Sequence, residues 1–418
     1  MQSTTLWRNA DFVHLWGAAT VSTFGSLISR TAIPFTAILL LDASATDLGA
    51  LRIAELLPAF VMGLVAGAWV DRVRRRPIMI ATDLGRALLL LTIPAAAIAG
   101  WLGLGQLLVV LALVSVLGVF FDIAYQSHLP AIVANEQLVE ANSKLSAAAS
   151  VAEAASFSAA GWLIQLFTAP FAILVDAVSF VASAGLVARM KDPPLPSTSD
   201  DTESATSIAD DVATGLRAVW SQPVLRGLVV SGIFQNLSFG MFGTVYLLYV
   251  NQEVGFDPGV LGLIFAVGGV SAFAGAVIAG RVARFGVGAV MVASLLLTAL
   301  GEALVPLATA ANIAGVAFLV AQQIVGDAAY TVYDINQVSL RQAIAPQALL
   351  GRVNASMRVA EFGAVLLGTV VAGYLGEAAG LRPTLWLAVG LFFVAAVSLA
   401  VSSVRGVARI PGSPVEVE

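Results

Sequence analysis

The sequence predicts an all-α membrane protein with twelve transmembrane helices in two pseudo-symmetric six-helix bundles. Three observations predict it. The chain is 59% hydrophobic and 11% charged over 418 residues, whereas soluble domains carry about 25% charge. With a mean hydropathy of +0.91, it has too few polar residues to cover a water-facing surface, so its bulk solvent is lipid. About twelve apolar runs are long enough to cross, a crossing needing roughly 20 residues. Two segments of matching sequence then recur, one in each half. The runs lack the alternation over about 10 residues that barrel strands show.

The expected spans are residues 12–41, 46–70, 78–99, 104–126, 143–167 and 169–189 in the first half. Those of the second half are 223–250, 257–280, 286–308, 311–334, 355–377 and 382–404. The first run is too long for a cleaved leader and lacks a small-residue cleavage site. Between the halves lies "MKDPPLPSTSDDTESATSIADD" (Met190–Asp211), rich in Pro, Ser, Thr and Asp, which reads as a solvated linker. Val212, Leu216, Val219 and Trp220 follow at helical spacing and predict a short interfacial helix. Leu6–Trp7 looks like the counterpart of Val219–Trp220. The organisation is thus an N-terminal bundle (1–189), a cytoplasmic linker (190–222), a C-terminal bundle (223–405) and a tail (406–418).

The repeat is legible without a gap. "FDIAYQSHLPAIVANEQLVEANS" starts at Phe121 and "YDINQVSLRQAIAPQALLGRVNA" at Tyr333, a spacing of 212 residues. Asp122 falls on Asp334, Ile123 on Ile335, Ser127 on Ser339, Ala131 on Ala343, Ile132 on Ile344, Leu138 on Leu350 and Asn142 on Asn354. Parallel six-span repeats are a transporter architecture, with the substrate site near mid-membrane between them.

Charge sets the orientation. Arg72, Arg74, Arg75 and Arg76 lie between spans 2 and 3; Arg189, Lys191, Arg217 and Arg226 flank the linker; Arg281, Arg284, Arg341, Arg352, Arg405 and Arg409 fall on the same side. The opposite side is mostly acidic, with Asp42, Asp47, Glu253, Asp257 and Glu377, and Arg52 and Arg382 as exceptions. Both termini are expected in the cytoplasm. Six acids of the linker (Asp192, Asp200, Asp201, Glu203, Asp210, Asp211) and two of the tail (Glu416, Glu418) leave the net charge of −5 uninformative about partners. The chain has no Cys and two His, which excludes disulfides, thiolate metal sites and a His-rich metal site. No cofactor beyond a coupling proton, no metal and no nucleic acid is expected. The expected partners are a small amphiphilic substrate and the lipid bilayer, with the chain a monomer.

"GAWVDRVRRRP" (Gly67–Pro77) resembles the cytoplasmic loop signature of the major facilitator superfamily: Gly67, Asp71, Arg72, Arg75 and Arg76 match, and Arg74 stands where glycine is usual. "WRNADFVHLW", "AELLPAFVMGLVAGAWVDRVRRRPIMIATDLGRALLL", "LVDAVSF" and the two repeat segments, in order, resemble the drug-exporter branch that holds macrolide efflux proteins and the enterobactin exporter. That resemblance implies a proton-coupled exporter working by alternating access, with the acid matching Asp71 at a cytoplasmic gate against the end of span 11. Arg352 and Arg358 are its nearest charge partners, and Glu361 lies three residues on. One departure stands out. "AEAASFSAAG" (Ala152–Gly161) carries Ser-Phe in span 5 where proton antiporters of the family carry Gly-Pro. That puts the helix kink there, and the antiport it accompanies, in question.

The residues alone also nominate sites. An acid near a helix N-terminus gains about 0.3–1 kcal/mol, which gives Asp71 a use that topology does not. Ionisable groups inside spans are costly in lipid and face the bundle or a cavity. Arg30 and Glu55 lie ~16 Å and ~13 Å deep from one side at 1.5 Å per residue, so a contact is expected, either a structural pair or a proton-switched latch. Asp83 and Arg86 share a face of span 3, as do Arg358 and Glu361 on span 11. Asp122 and Asp334 are expected at helix ends. A carboxylate withdrawn from water can load and release a proton. Glu153 and Asp327 lead as such carriers, ahead of Glu302 and Asp176, because the resemblance makes spans 1, 4, 7 and 10 line the pathway. Phe120 and Tyr125 on span 4, Gln235 and Asn236 on span 7, and Gln323 and Tyr330 on span 10 form an expected substrate path, with ordinary interhelical packing the alternative for each. Adjacent Gln322 and Gln323 are not expected to face the same way. His14 and His128 are expected as interfacial residues near span ends.

The resulting expectation is an inner-membrane exporter of an amphiphilic drug-like compound or siderophore, driven by the proton gradient. No Walker A motif is present, so ATP hydrolysis by the chain is not expected. A nutrient importer of the same fold and a non-transporting sensor or secretion accessory remain open at this point.

Overall fold

The computed structural model describes residues 6–63, 66, 73–134, 137–191 and 208–409. Gly67, Asp71 and Arg72 of the expected gate lie outside the described residues. So do most of the linker and the tail beyond Arg409, and the side chains of Asp210 and Asp211.

The first half comprises α1 (Ala10–Leu41), α2 (Ala45–Gly63), α3 (Arg75–Ala99), α4 (Leu104–Ile132), α5 (Leu138–Phe167) and α6 (Ala169–Val187). The linker helix α7 (Ile208–Ser221) leads to α8 (Pro223–Leu248), α9 (Pro258–Val282) and α10 (Val287–Glu302). Then come α11 (Ile313–Gln322), α12 (Ala328–Ile344), α13 (Leu350–Ala378) and α14 (Leu381–Val401). A π turn, Gln323–Asp327, joins α11 to α12. Among the described residues, eleven segments are long and apolar enough to cross a membrane, with Ile313–Ile344 counted as one. The remaining expected span is α2, whose nineteen residues carry Asp47, Arg52 and Glu55.

Helix ends follow local chemistry. Asn9 caps α1: its Oδ1 accepts from Asp11 N (3.1 Å) and Phe12 N (3.3 Å). Gly100 closes α3 at φ 75°, a conformation that glycine adopts without a Cβ penalty. Two helices outrun their apolar stretch, because the backbone ladder needs no lipid to continue. The α4 helix reaches Ile132 and α12 reaches Ile344, so Asp122 and Asp334 lie inside helices and not at their ends as expected. The α5 helix runs unbroken through Ser156–Phe157.

By compactness the chain divides into two units. The first is Met1–Ser199 with Asp257–Ala266, and the second is Asp200–Phe256 with Val267–Glu418. In the first, α1 packs on α5 and α6, α3 on α4 and α6, and α2 on α4. In the second, α8 packs on α13 and α14, and α10 on α12 and α14. The four pairings made by spans 1 and 3 thus recur for spans 7 and 9, which is what parallel repeats require. Each unit has an apolar core: Phe12, Leu15, Met79, Phe121 and Leu129 in the first, and Leu228, Met291, Leu340, Met357 and Leu399 in the second. The counterpart pair also matches, with Leu6 and Val219 buried and Trp7 and Trp220 exposed by 49% and 57%.

Small residues set the helix spacing, as lipid-embedded packing demands. A Cβ on Gly240 would strike Val365 O and one on Gly368 would strike Leu237 O, so α8 and α13 meet backbone to backbone. A Cβ on Gly25 of α1 would lie 2.7 Å from Asp176 Oδ1 on α6. The linker helix α7 is docked on α13, with Gly215 against Arg352 O and Val219 fully buried.

Candidate functional site

The second unit contains a cavity of about 110 Å³ between α8, α12 and α13. Gly232, Gln235 and Asn236 line it from α8, and Glu361 from α13. From α12 come Tyr330, Tyr333, Asp334, Gln337, Val338 and Arg341. Three of the expected path residues, Gln235, Asn236 and Tyr330, therefore meet here. Asn236 Nδ2 donates to Gly232 O at 2.9 Å, which holds its amide along the helix. Tyr330 is set edge-on against Phe239, ring centroids 4.9 Å apart. Arg341 Nη1 lies 3.9 Å from Glu361 Oε1. Glu361 therefore pairs across helices with Arg341, while the exposed Arg358 on its own helix also acts on it electrostatically. The lining residues of α12 recur at three- and four-residue spacing from Tyr330 to Arg341. That stripe on one helix face was the sequence signal for Tyr333, Gln337 and Arg341.

The π turn organises a second polar group. Gln322 Nε2 donates to Glu302 Oε1 on α10 at 3.2 Å, and Gln323 Nε2 donates to Gln322 Oε1 at 2.8 Å. The adjacent glutamines thus come together, against expectation, because a π turn is wider and takes a smaller angular step per residue. A Cβ on Gly268 of α9 would clash with Gln323 Oε1 and Asp327 Oδ2. Glu302 is buried and Asp327 half-buried. Gln323 belongs to this group and not to the cavity lining.

The first unit buries a charge cluster whose extent the sequence did not show. Arg86 Nη2 donates to Asp83 Oδ1. The Arg86 guanidinium lies over Phe121 at 4.6 Å and Phe180 at 4.0 Å from their centroids. Asp83 is fully buried and Asp176 is 2% exposed. Asp176 Oδ1 accepts from Ser179 Oγ at 3.2 Å and Ser26 Oγ at 3.5 Å. The same guanidinium acts electrostatically on Asp122 and Asp176.

The other nominated residues are placed as follows. Arg30 Nε lies 3.8 Å from Glu55 Oε1, with the side chains 60% and 33% exposed. Glu153 is exposed on α5, so the burial that recommended it as a proton carrier is not met. Phe120 and Tyr125 pack against the first unit's core, Tyr125 stacked on Phe121 at 6.2 Å. Arg75 opens α3 half-buried, and Arg352 sits in the first turn of α13. Arg76 has a structural partner. Its Nε donates to Val187 O at 3.2 Å and its Nη2 to Ala188 O, so it caps the C-terminal end of α6. His128 is fully buried in α4, four residues before the helix ends at Ile132.

Helical spans and repeated packing define a multi-pass membrane protein. Residues 3–411 match the transmembrane secretion effector family, and the chain belongs to that family of major facilitator transporters. It is 29% identical over 377 residues to the multidrug efflux pump Tap of Mycolicibacterium fortuitum, covering 88% of this chain and 89% of Tap. It is 24% identical over 399 residues to the MFS-type transporter YfiS of Bacillus subtilis, covering 93% and 90%. Among solved structures, the nucleoside transporter NupG superposes with a TM-score of 0.74 at 14% identity, covering 93% of this chain and 98% of NupG. That likeness shows the fold.

Proposed function

We propose that the chain is a secondary active exporter of amphiphilic, drug-like compounds, driven outward by proton antiport through alternating access. The observation that carries this reading is the cavity bounded by Tyr330, Tyr333, Gln235, Asn236 and two carboxylates. Tyrosine rings beside amides and carboxylates suit a ligand with both an apolar and a polar part. The similarity to a multidrug efflux pump supports the outward direction. The bacterial relatives support an inner-membrane location, and the arginine-rich loops favour cytoplasmic termini. Asp327 and Glu302 at the π turn are the carriers we favour for the proton. Both are membrane-embedded carboxylates, and such groups mark ion pathways. Asp71 is the residue we assign to the gate, on its sequence position.

The test is accumulation of a panel of amphiphilic fluorophores in an efflux-deficient bacterial host. Expression should lower accumulation of at least one compound, and a protonophore should abolish that loss. Equal accumulation of every compound with and without the protein would overturn export. Export that survives the protonophore would overturn proton coupling.

A further inference from the structure

We propose that Asp327 and Glu302 are the two ends of a single proton site, wired by Gln322 and Gln323 so that the pair holds one proton at a time. This rests on the proton-antiport reading and deepens it, with the two glutamines as positioning residues. The wire has a direction. Gln322 Nε2 donates to Glu302 Oε1 at 3.2 Å, and Gln323 Nε2 donates to Gln322 Oε1 at 2.8 Å. A side-chain amide carries its donor and its acceptor on different arms. A carboxylate at Glu302 therefore sets Gln322, and Gln322 sets Gln323. The acceptor arm of Gln323 is then turned toward Gly268. The Cβ position of Gly268 lies 1.9 Å from Gln323 Oε1 and 2.3 Å from Asp327 Oδ2. Two acceptors thus meet over one glycine, where an ionised Asp327 has no hydrogen to offer. A proton on Asp327 converts that opposition into an O–H···O bond.

The surroundings supply no other remedy. Among the described residues no cation acts on either carboxylate, and Glu302 feels the like charge of Asp327. Tyr246 of α8 faces both. The α9 helix offers the bare backbone of Gly268, α11 has no ionisable residue, and Tyr330 of α12 faces Asp334 and Glu361 instead. Two ionised ends would oppose like charges without a counter-ion. Two protonated ends would forfeit the charge-assisted bond from Gln322 to Glu302. One proton satisfies the whole chain. The reverse state is equally complete: a proton on Glu302 donates to Gln322, and after both amides rotate Gln323 Nε2 donates to Asp327. The two states differ by one proton and two amide rotations. They place the proton at the half-buried end or at Glu302, which is 8% exposed.

The experiment uses the full-length protein in liposomes and follows the infrared carbonyl band of protonated carboxyl groups as the pH is stepped. The double variant Asp327→Asn/Glu302→Gln is the blank. Wild type minus blank should show two separate steps, with a plateau at half the band reached in acid, as a coupled pair requires. Asp327→Asn and Glu302→Gln should each lose the whole plateau band although each keeps one carboxyl, because the new amide supplies the proton's hydrogen bond and leaves the other end ionised. Gln323→Met keeps the side-chain length and cuts the wire, and should narrow the plateau by about one pH unit, a tenfold change in relative proton affinity. The amide bands of the same spectra report folding, and either single variant decides if the other does not fold. A single two-proton step, no band above the blank, a single variant that retains the plateau, or an unchanged plateau in Gln323→Met overturns the inference. Proton-driven export stands through those outcomes if the protonophore still abolishes efflux in cells. Efflux that survives the protonophore overturns proton coupling, whatever the infrared titration shows.

Discussion

Replacing Arg86 by methionine tests how the first unit tolerates a guanidinium among carboxylates. Asp83 is fully buried and Arg86 is 7% exposed, so neither charge has water to fall back on. Arg86→Met keeps much of the side-chain volume and removes the donor to Asp83 Oδ1. It also removes the counter-charge that Asp122 and Asp176 feel. Breaking a buried pair from one side costs about 3–5 kcal/mol, and the lost ring contacts to Phe121 and Phe180 push toward the upper end. At 1.4 kcal/mol per factor of ten, the unfolding equilibrium should shift by roughly two to four powers of ten. The double variant Asp83→Leu/Arg86→Met removes both charges and should recover most of the loss, since apolar replacement of a whole buried pair is often neutral. The assay is denaturant-induced unfolding in detergent micelles, followed by tryptophan fluorescence. A single variant that unfolds with the wild type, or a double variant no better than the single, would refute the reasoning.

Other substitutions probe the scaffold. Arg76→Gln should cost about 0.5–2 kcal/mol through loss of the α6 cap, and Arg76→Lys should restore only part of it; thermal unfolding in micelles measures both. Asn9→Ala should cost about 1–2 kcal/mol, because Asn9 caps α1 and also donates to Ile132 O at 2.8 Å. Asn9→Asp should fall between the two, keeping the cap and losing the donor, in the same melting assay. Gly25→Val should cost about 1–3 kcal/mol by overpacking α1 on α6. Gly25→Ala combined with Ser179→Ala should melt higher than Gly25→Ala alone, since Ser179 Oγ is the nearest atom to the new methyl.

The spans were legible because lipid enforces a length and a composition at once. The helix ends match the expected edges closely at Leu41, which Asp42 follows, and at Ala99, which Gly100 follows. They differ at Ile132 and Ile344, where the helix continues beyond the apolar stretch. The repeat was legible in Asp122 and Asp334, and in the structure each faces an arginine. The two arginines come from non-equivalent places: Arg86 on α3 for Asp122, and Arg341 on the same helix for Asp334. Internal homology transmits the scaffold but not the charge network, so a repeat comparison finds the acids and misses their counter-ions. The π turn was not legible, because Gln323–Asp327 has no composition that separates it from an α-helix. It packs against Gly268 and Gly301. The Arg30–Glu55 contact was reachable from depth alone, since two residues at one level on neighbouring helices need no further information.

The last described residues do more than leave the bundle. Val287 N donates to Ala408 O at 3.2 Å and Gly288 N to Val407 O at 2.9 Å, while Gly288 has no room for a side chain beside Val404 O. The start of α10 therefore borrows its acceptors from a point more than a hundred residues downstream. For protein engineering this fixes where a fusion can be joined. A reporter or affinity handle attached after Arg409 keeps the borrowed carbonyls, whereas trimming the chain back to Gly406 strips the amides of α10 and removes a strap that ties the ninth span to the end of the twelfth.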